Sequence, residues 1–454
     1  MMQTKQKLYV YLFIISLIFV FLDAYKILEI PLSWIGLSLL IIPGINEFKI
    51  IFQEKFLKYG FLSILLLSVP DIFNFFGNNF LNIDYQYIFL RYFNLISFFI
   101  VLIFSYNFFQ KNSSDLFLAL IRKFIVTFSV ITIYIYIAQI FDLYEPIRNR
   151  QNTDLFEEIN QSIFWLSQPH RAMGTFREPV LLITFFFPIV LIYLYLKKDQ
   201  RYLIPILSGV AIGLTRSDYA KVYCLFLLVY IFSSFLLNKE FLFGMSIFVI
   251  TVLFFSTFGI LECNVNPESK ECKEYPEDVA KINGSGNFRV ITNASTPTSE
   301  LDNDRILVLN YFYSSLSEIK ATGLSEVNKN YQEFLTNQIN SEMYFLNRTL
   351  PSFLLQRYST QSFGTGSYSV TKYVPNVQNV IVFYSIGFGY TFLAIIFLLI
   401  TYLFHKKGAN LNVFFFLGLI LMLCLSPIEE VNSFYGLILG FIYVKIFRKD
   451  YEQI

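Results

Sequence analysis

The sequence predicts an all-α polytopic membrane protein of about twelve transmembrane helices, with a mainly helical large loop outside the bundle. Three observations carry that expectation. Hydrophobic residues form 55% of the 454, with 54 Phe and 31 Tyr among them, and the mean hydropathy is +0.53. Apolar runs of roughly 17–25 residues recur, each long enough to cross ~30 Å of hydrocarbon. Basic residues gather in alternate short segments between those runs, as the positive-inside rule requires. This pattern overrides the two or three soluble domains that length alone suggests. A net charge of +2 gives no bulk attraction for nucleic acid, so none is expected as a partner; the lipid bilayer is.

The spans fall at about 8–24, 28–46, 58–76, 86–109, 124–143, 179–196, 202–216, 219–237, 241–260, 377–404, 411–426 and 430–447. The first lacks the small-residue cleavage site of a removed signal peptide and is kept as a membrane anchor. The seventh is short and bounded by Arg216. The last two are separated by Pro427 and a few polar residues, which predicts a tight helical hairpin. With the amino terminus inside, seventeen of the 35 basic residues fall in short inner segments: Lys5 and Lys7, then Lys49, Lys55 and Lys58, then Lys111, Arg122 and Lys123, and so on to Lys445, Arg448 and Lys449. Both termini are then cytoplasmic.

The chain accordingly divides into residues 1–143 (spans one to five), 144–178 (a first outer loop), 179–260 (spans six to nine), 261–376 (a large outer loop) and 377–454 (the last three spans and an inner tail). Within the large loop, Asp304 to Leu355 has Phe, Leu, Ile and Tyr at helical spacing. Asn264 to Ser299 is rich in Asn, Gly, Ser and Pro and reads as irregular.

Cys224 and Cys424 lie inside spans and read as small packing residues. Cys263 and Cys272 stand nine positions apart at the start of the large loop. They are either a disulfide closing a small loop in an oxidising compartment or two free thiols. The only histidines are His170 and His405, no His/Cys pattern has metal-ligand spacing, and neither a metal nor a cofactor is expected.

The densest polar chemistry beside a span is Gln168 to Pro179, QPHRAMGTFREP. Polar groups next to hydrocarbon are costly unless paired or lining a wet cavity, which makes this run a functional-site candidate. Other charged residues gather on the same outer rim: Arg91 in the fourth span, Arg216, Asp218 and Lys221 in TRSDYAK, and Arg348 and Arg357 before the tenth span. Singly, each has a plain reading. Arg216 and Lys221 can snorkel to headgroups, and Glu178 can cap the helix that Pro179 opens. Together they enrich arginine on the side where basic residues should be scarce, and arginine's fork suits phosphate oxygens. Gly364 and Gly366, in QRYSTQSFGTGSYS, match neither a Rossmann fingerprint nor a P-loop, although a Gly-x-Gly loop can bring backbone N–H groups close to an anion or a sugar.

RAMGTFREP before the sixth span, GLTRSDYAKV between the seventh and eighth, FGTGSYS before the tenth and the following VPNVQNVIVFYSIGFGYTFL appear in that order on this topology. In these the chain resembles the Wzy-type O-antigen polymerases, of the superfamily shared with O-antigen ligases. The resemblance covers most of the chain, through short motifs. It implies a metal-independent glycosyltransferase of GT-C-like fold in the bacterial inner membrane, with its active site on the periplasmic face. The substrate it implies is an undecaprenyl-pyrophosphate-linked repeat unit, and the partner a polysaccharide chain-length regulator. Arg91, Arg171, Arg177 and Arg216 would then bind pyrophosphate, Arg348, Arg357, Gly364 and Gly366 would contact pyrophosphate or glycan, and Glu178, ahead of His170, would be the base. The Arg-x10-Gly spacing of some polymerases is not met by Arg171, Arg177, Arg348 or Arg357.

Two rivals stand beside this. A ligase transferring finished chains to lipid A-core usually carries a histidine in the large loop, and residues 261–376 have none. A lipid-linked oligosaccharide flippase should show internal repeats and polar residues at mid-membrane depth, neither of which is evident.

Overall fold

The computed structural model describes residues 2–23, 25–27, 30–67, 85–111, 115–140, 143, 171–176, 179–196, 202–234, 239–258, 411–426 and 432–447, with isolated helical residues between 381 and 401. The described residues are helical apart from one small hairpin, the segment 171–176 and short turns between helices. Helix α1 (Met2–Val20) leads into β1 (Lys26–Ile27) and β2 (Ile30–Pro31), antiparallel in the register Lys26↔Pro31 and Ile27↔Ile30. There follow α2 (Leu32–Asn46), the single turn α3 (Ile50–Gln53), α4 (Lys55–Leu67), α5 (Tyr85–Lys111) and α6 (Asp115–Ile140). Then come α7 (Pro179–Leu196), α8 (Leu203–Gly213), α9 (Asp218–Ser234), α10 (Lys239–Phe258), α11 (Leu411–Leu425) and α12 (Ser433–Phe447).

Among the described residues three stretches are long and apolar enough to cross a membrane: Tyr92–Gln110 in α5, Leu116–Ala138 in α6 and Pro179–Leu196, which is α7. Shorter apolar helices surround them. The outward faces are apolar too: Phe52 is 79% exposed, Phe232 77% and Ile42 67%. A soluble surface rarely gathers such groups, whereas hydrocarbon accommodates them.

Several boundaries differ from the hydropathy reading. Helix α1 starts at Met2 and α6 at Asp115, ahead of the expected 8 and 124. Backbone hydrogen bonding ignores side-chain polarity, so Lys7, Arg122 and Lys123 sit inside helical turns that hydropathy excludes. The second span, expected from 28, becomes a helix only at Leu32, because β2 occupies Ile30–Pro31 and Pro31 stands just before the first turn. Pro43 and Pro188 lie within α2 and α7, as proline does in membrane helices whose neighbours satisfy the freed carbonyl. The expected span at 377–404 is described only at isolated residues, and the loops at 144–170 and 261–376 lie outside the described residues.

Two helix pairs pack through glycines four residues apart, a pattern that brings backbones close where lipid supplies no hydrophobic drive. In α8, a Cβ at Gly209 would lie 2.8 Å from Thr251 Cβ, and one at Gly213 2.7 Å from Phe255 Cβ, both on α10. In α12, a Cβ at Gly436 would strike the Phe98 carbonyl of α5, and one at Gly440 would lie 2.5 Å from Ser105 Cβ. At that second crossing Ser105 Oγ donates to the Leu437 carbonyl at 2.5 Å.

Helix α7 is the hub. Every residue from Leu182 to Leu194 is buried, so no face of it is polar or exposed, the mark of a helix enclosed by others. It touches α6, α8, α9 and α10. Phe185 meets Phe434 of α12 with ring centroids 4.6 Å apart, and Tyr195 stacks on Phe415 of α11 at 5.5 Å.

The packing also sorts the helix ends. One end gathers the carboxy-terminal ends of α1, α6, α8 and α10 with the amino-terminal ends of α7, α9 and α12. At the opposite end the Tyr9 hydroxyl donates to Glu47 at 3.3 Å and the Tyr106 hydroxyl to Glu54 at 2.6 Å. Lys7, Lys49, Lys55 and Lys58 are exposed there, far from Arg171 and Arg216.

Candidate functional site

Two motifs that are forty residues apart in sequence meet at the first of these ends. Helix α8 ends by tightening: Leu214 N–H reaches the Val210 carbonyl at 2.9 Å, Thr215 N–H the Ile212 carbonyl at 3.1 Å and Arg216 N–H the Gly213 carbonyl at 3.0 Å. The switch to i→i−3 bonds is a common way for a helix to satisfy its last carbonyls. Arg216 then adopts φ 49, left-handed backbone, and the chain reverses. Ser217 opens α9, its carbonyl accepting from Ala220 N–H at 3.0 Å. Glycine is the usual residue at a left-handed helix end, and holding a residue with a side chain there costs about 1–2 kcal/mol. Strain of this kind persists only where the surroundings enforce it.

Residues 171–176 supply that enforcement. Ala172 N–H donates to the Leu214 carbonyl at 2.9 Å. Arg171 Nε–H donates to the Thr215 carbonyl at 2.8 Å. A guanidinium therefore sits on the carboxy-terminal carbonyls of α8, where the helix dipole favours positive charge. Ala172, Leu214 and Tyr136 pack together beside Ile133, Val210 and Phe255.

The rest of the run plugs into the bundle. Phe176 N–H bonds the Met173 carbonyl at 3.1 Å, closing a turn with Gly174 second in it. Gly174 has φ +57, and a Cβ there would lie 2.8 Å from Thr132 Oγ1 and 3.2 Å from Leu182 Cδ1, so both backbone and space require glycine. Thr175 Oγ1 donates to the Phe21 carbonyl at the end of α1. Phe176 is fully buried among Phe21, Phe128 and Phe185, with centroids 5.2, 5.9 and 5.6 Å away. Pro179 opens α7 three residues later, as expected of a proline at the first helical position.

Of the residues singled out in the sequence, the structure brings Arg171, Gly174, Arg216, Asp218 and Lys221 to one place. Arg171 and Arg216 are half-buried. Asp218 and Lys221 form an i,i+3 ion pair at 3.1 Å with both side chains well exposed, so Lys221 is a solvated, neutralised cation with little energetic weight. Arg91 lies within α5, and its side chain is outside the described residues. His170, Arg177, Glu178, Arg348, Arg357, Gly364, Gly366, Cys263 and Cys272 also lie outside the described residues. The described cysteines, Cys224 and Cys424, are free thiols within helices, Cys224 fully buried.

Sequence reasoning missed two groups at this end. Asp23 is 8% exposed and accepts from Ser33 Oγ at 2.6 Å, just past the end of α1. Its signal was a lone acid closing an apolar run. Thr132 of α6 lies against Gly174 with a buried Oγ1 that has no hydrogen-bond partner among the described residues; a threonine inside TFSVITIYIYI carries no motif. Among the described residues no group of three His, Cys, Asp or Glu is placed to hold a metal ion.

No protein-family model matches the chain, and no curated protein or solved structure does so either.

Proposed function

We propose that the protein polymerises undecaprenyl-pyrophosphate-linked oligosaccharide repeat units into O-antigen or a related surface polysaccharide. The observation that carries this reading is the junction of the two arginine motifs. RAMGTF and TRSD, each read from the sequence as part of an anion site beside the membrane, are hydrogen-bonded to each other at one end of an apolar bundle. A lipid-linked pyrophosphate presents its charge at just such a boundary, with its tail in hydrocarbon and its sugar in water.

In this reading the chain has about twelve spans and a GT-C-like fold, both termini are cytoplasmic, and the junction faces the periplasm of the bacterial inner membrane. A hydroxyl of one repeat unit attacks the anomeric carbon of the growing chain. The bond from that carbon to the pyrophosphate oxygen breaks, and undecaprenyl pyrophosphate leaves. The leaving group accumulates negative charge, and fixed arginines lower the barrier by meeting it. Arg216, Arg177 and Arg91 supply that charge, and Arg171 docks on the turn that carries Arg216. Glu178, or His170, takes the proton of the attacking hydroxyl. No cofactor or metal enters the scheme.

Complementation of a polymerase-deficient strain tests the reading. Arg177→Ala, Glu178→Ala and Arg216→Ala, each at wild-type abundance, should leave single-repeat glycoforms where the wild type gives a long ladder. Long chains from all three variants, or no ladder from the wild-type gene, would overturn it. A core with no repeats on deletion of the gene from its own host would point to a ligase instead.

A further inference from the structure

We infer that Arg171 is a positioning residue whose Nε–H fixes the backbone of Arg216, rather than a second ligand for the anion. What Arg216 binds rests on the function proposed above; the docking itself does not.

The geometry is specific. The carbonyl that Arg171 grips, at 2.8 Å, belongs to the peptide bond between Thr215 and Arg216. Rotation about the N–Cα bond of Arg216 is what swings that carbonyl relative to the Arg216 side chain. A donor anchored on the oxygen therefore holds the torsion, and the torsion held is the left-handed φ of 49. One residue later in the first segment and one earlier in the second, Ala172 N–H holds the Leu214 carbonyl at 2.9 Å, so the grip is a two-point clamp. The clamp has a rigid base. Ala172 and Met173 are each 1% exposed, Gly174 leaves no room for a side chain, and Thr175 and Phe176 are tied to the end of α1 and to the Phe21–Phe128 cluster. Without the clamp a non-glycine residue at this position relaxes to negative φ and its side chain turns away.

The donor matters more than the charge in this account, and that separates it from anion binding. The Nε of arginine is about four bonds from Cα, the same place along the side chain as the amide nitrogen of glutamine. Arg171→Gln therefore keeps an N–H at that position and removes the charge. Arg171→Lys keeps the charge and puts its nitrogen one bond further out. A positioning role predicts that Gln retains function better than Lys; an anion-ligand role predicts the reverse.

The test uses the full-length protein in lipid nanodiscs, with hydrogen–deuterium exchange read over residues 171–176 and 214–217 and over α12 as an internal control for global folding. Arg171→Ala and Arg171→Lys should speed exchange at Ala172 and Arg216 by about tenfold, the scale of one hydrogen bond to a charged donor, with α12 unchanged. Arg171→Gln should stay near wild type. In parallel, polymer length made from a lipid-pyrophosphate repeat unit should follow the same order, Gln above Lys and Ala, while Arg216→Gln abolishes it. Unchanged exchange in Arg171→Ala, or Lys matching wild type in either readout, overturns the positioning role. Exchange that follows the expected order while the wild type makes no polymer keeps the clamp and overturns the proposed function alone.

Discussion

Replacing Gly440 by alanine tests the crossing of α5 and α12 on the smallest scale chemistry allows. The added methyl carbon would lie 2.5 Å from Ser105 Cβ, 2.6 Å from Ser105 Oγ and 2.7 Å from Tyr106 N. Carbon atoms in contact rest at roughly 3.5–4.0 Å, so the helices must part by about 1 Å. Tyr106 N belongs to a helix backbone and cannot swing aside as a side-chain tip would. Parting the helices by that distance also stretches the Ser105–Leu437 hydrogen bond, now 2.5 Å, past the length at which it is worth its usual ~0.6 kcal/mol in a membrane protein. Overpacking of this kind costs about 1–3 kcal/mol. The sum is a destabilisation of about 2–3 kcal/mol. Gly418 of α11 is the control, because among the described residues nothing lies within 4 Å of a Cβ built there. Alanine at 418 should be neutral or stabilise by up to about 0.5–1 kcal/mol through helix propensity. Reversible unfolding in mixed micelles on addition of a denaturing detergent measures both. Gly440→Ala within 0.5 kcal/mol of Gly418→Ala, in the order of magnitude set by ordinary surface substitutions, would refute the close-packed crossing.

Two further predictions concern the site. Gly174→Ala should destabilise by about 2–3 kcal/mol, combining a left-handed backbone with a clash against Thr132, and should lower the thermal midpoint more than Gly418→Ala does. Thr132→Val, by contrast, removes a buried hydroxyl that has no partner among the described residues and keeps its shape, so stability should hold or rise by about 1 kcal/mol in the same unfolding assay.

The helices were legible where hydropathy and punctuation agreed. Pro179 to Leu196 was read to the residue, since a proline marks its start and no charge interrupts its apolar run. Boundaries moved wherever charged residues continue a helix, as at Arg122 and Lys123, because hydropathy reports the solvent a residue prefers while the backbone reports only hydrogen bonding. The helix partners were not legible. Gly209 and Gly213, or Gly436 and Gly440, show a spacing that allows close approach, yet nothing in one sequence says that the first pair faces α10 and the second α5. The site was half legible. The density of polar residues in QPHRAMGTFREP and TRSDYAK marked both segments, but both arginines read as phosphate ligands. That Arg171 spends its Nε on a backbone carbonyl follows from a left-handed turn at Arg216, and neither residue type advertises it. Asp23 and Thr132 escaped because each is a single polar residue in an apolar stretch, indistinguishable in sequence from a lipid-facing one.

The enclosure of α7 has a consequence for how the chain is made. Its neighbours include α6 and α8, which flank it in sequence, but also α11 and α12, which are synthesised more than two hundred residues later. Until those last helices are in place, Phe185 lacks its Phe434 contact, keeping only Phe176 of the junction, and Tyr195 lacks Phe415. The arginine junction at the head of α7 is therefore complete long before the scaffold behind it is. The order of the elements lets assembly run in two stages: a local docking of residues 171–176 onto the α8–α9 turn, then a late closure by the carboxy-terminal helices. The second stage then reaches the junction through one chain of rings, Phe434 on Phe185 and Phe185 on Phe176.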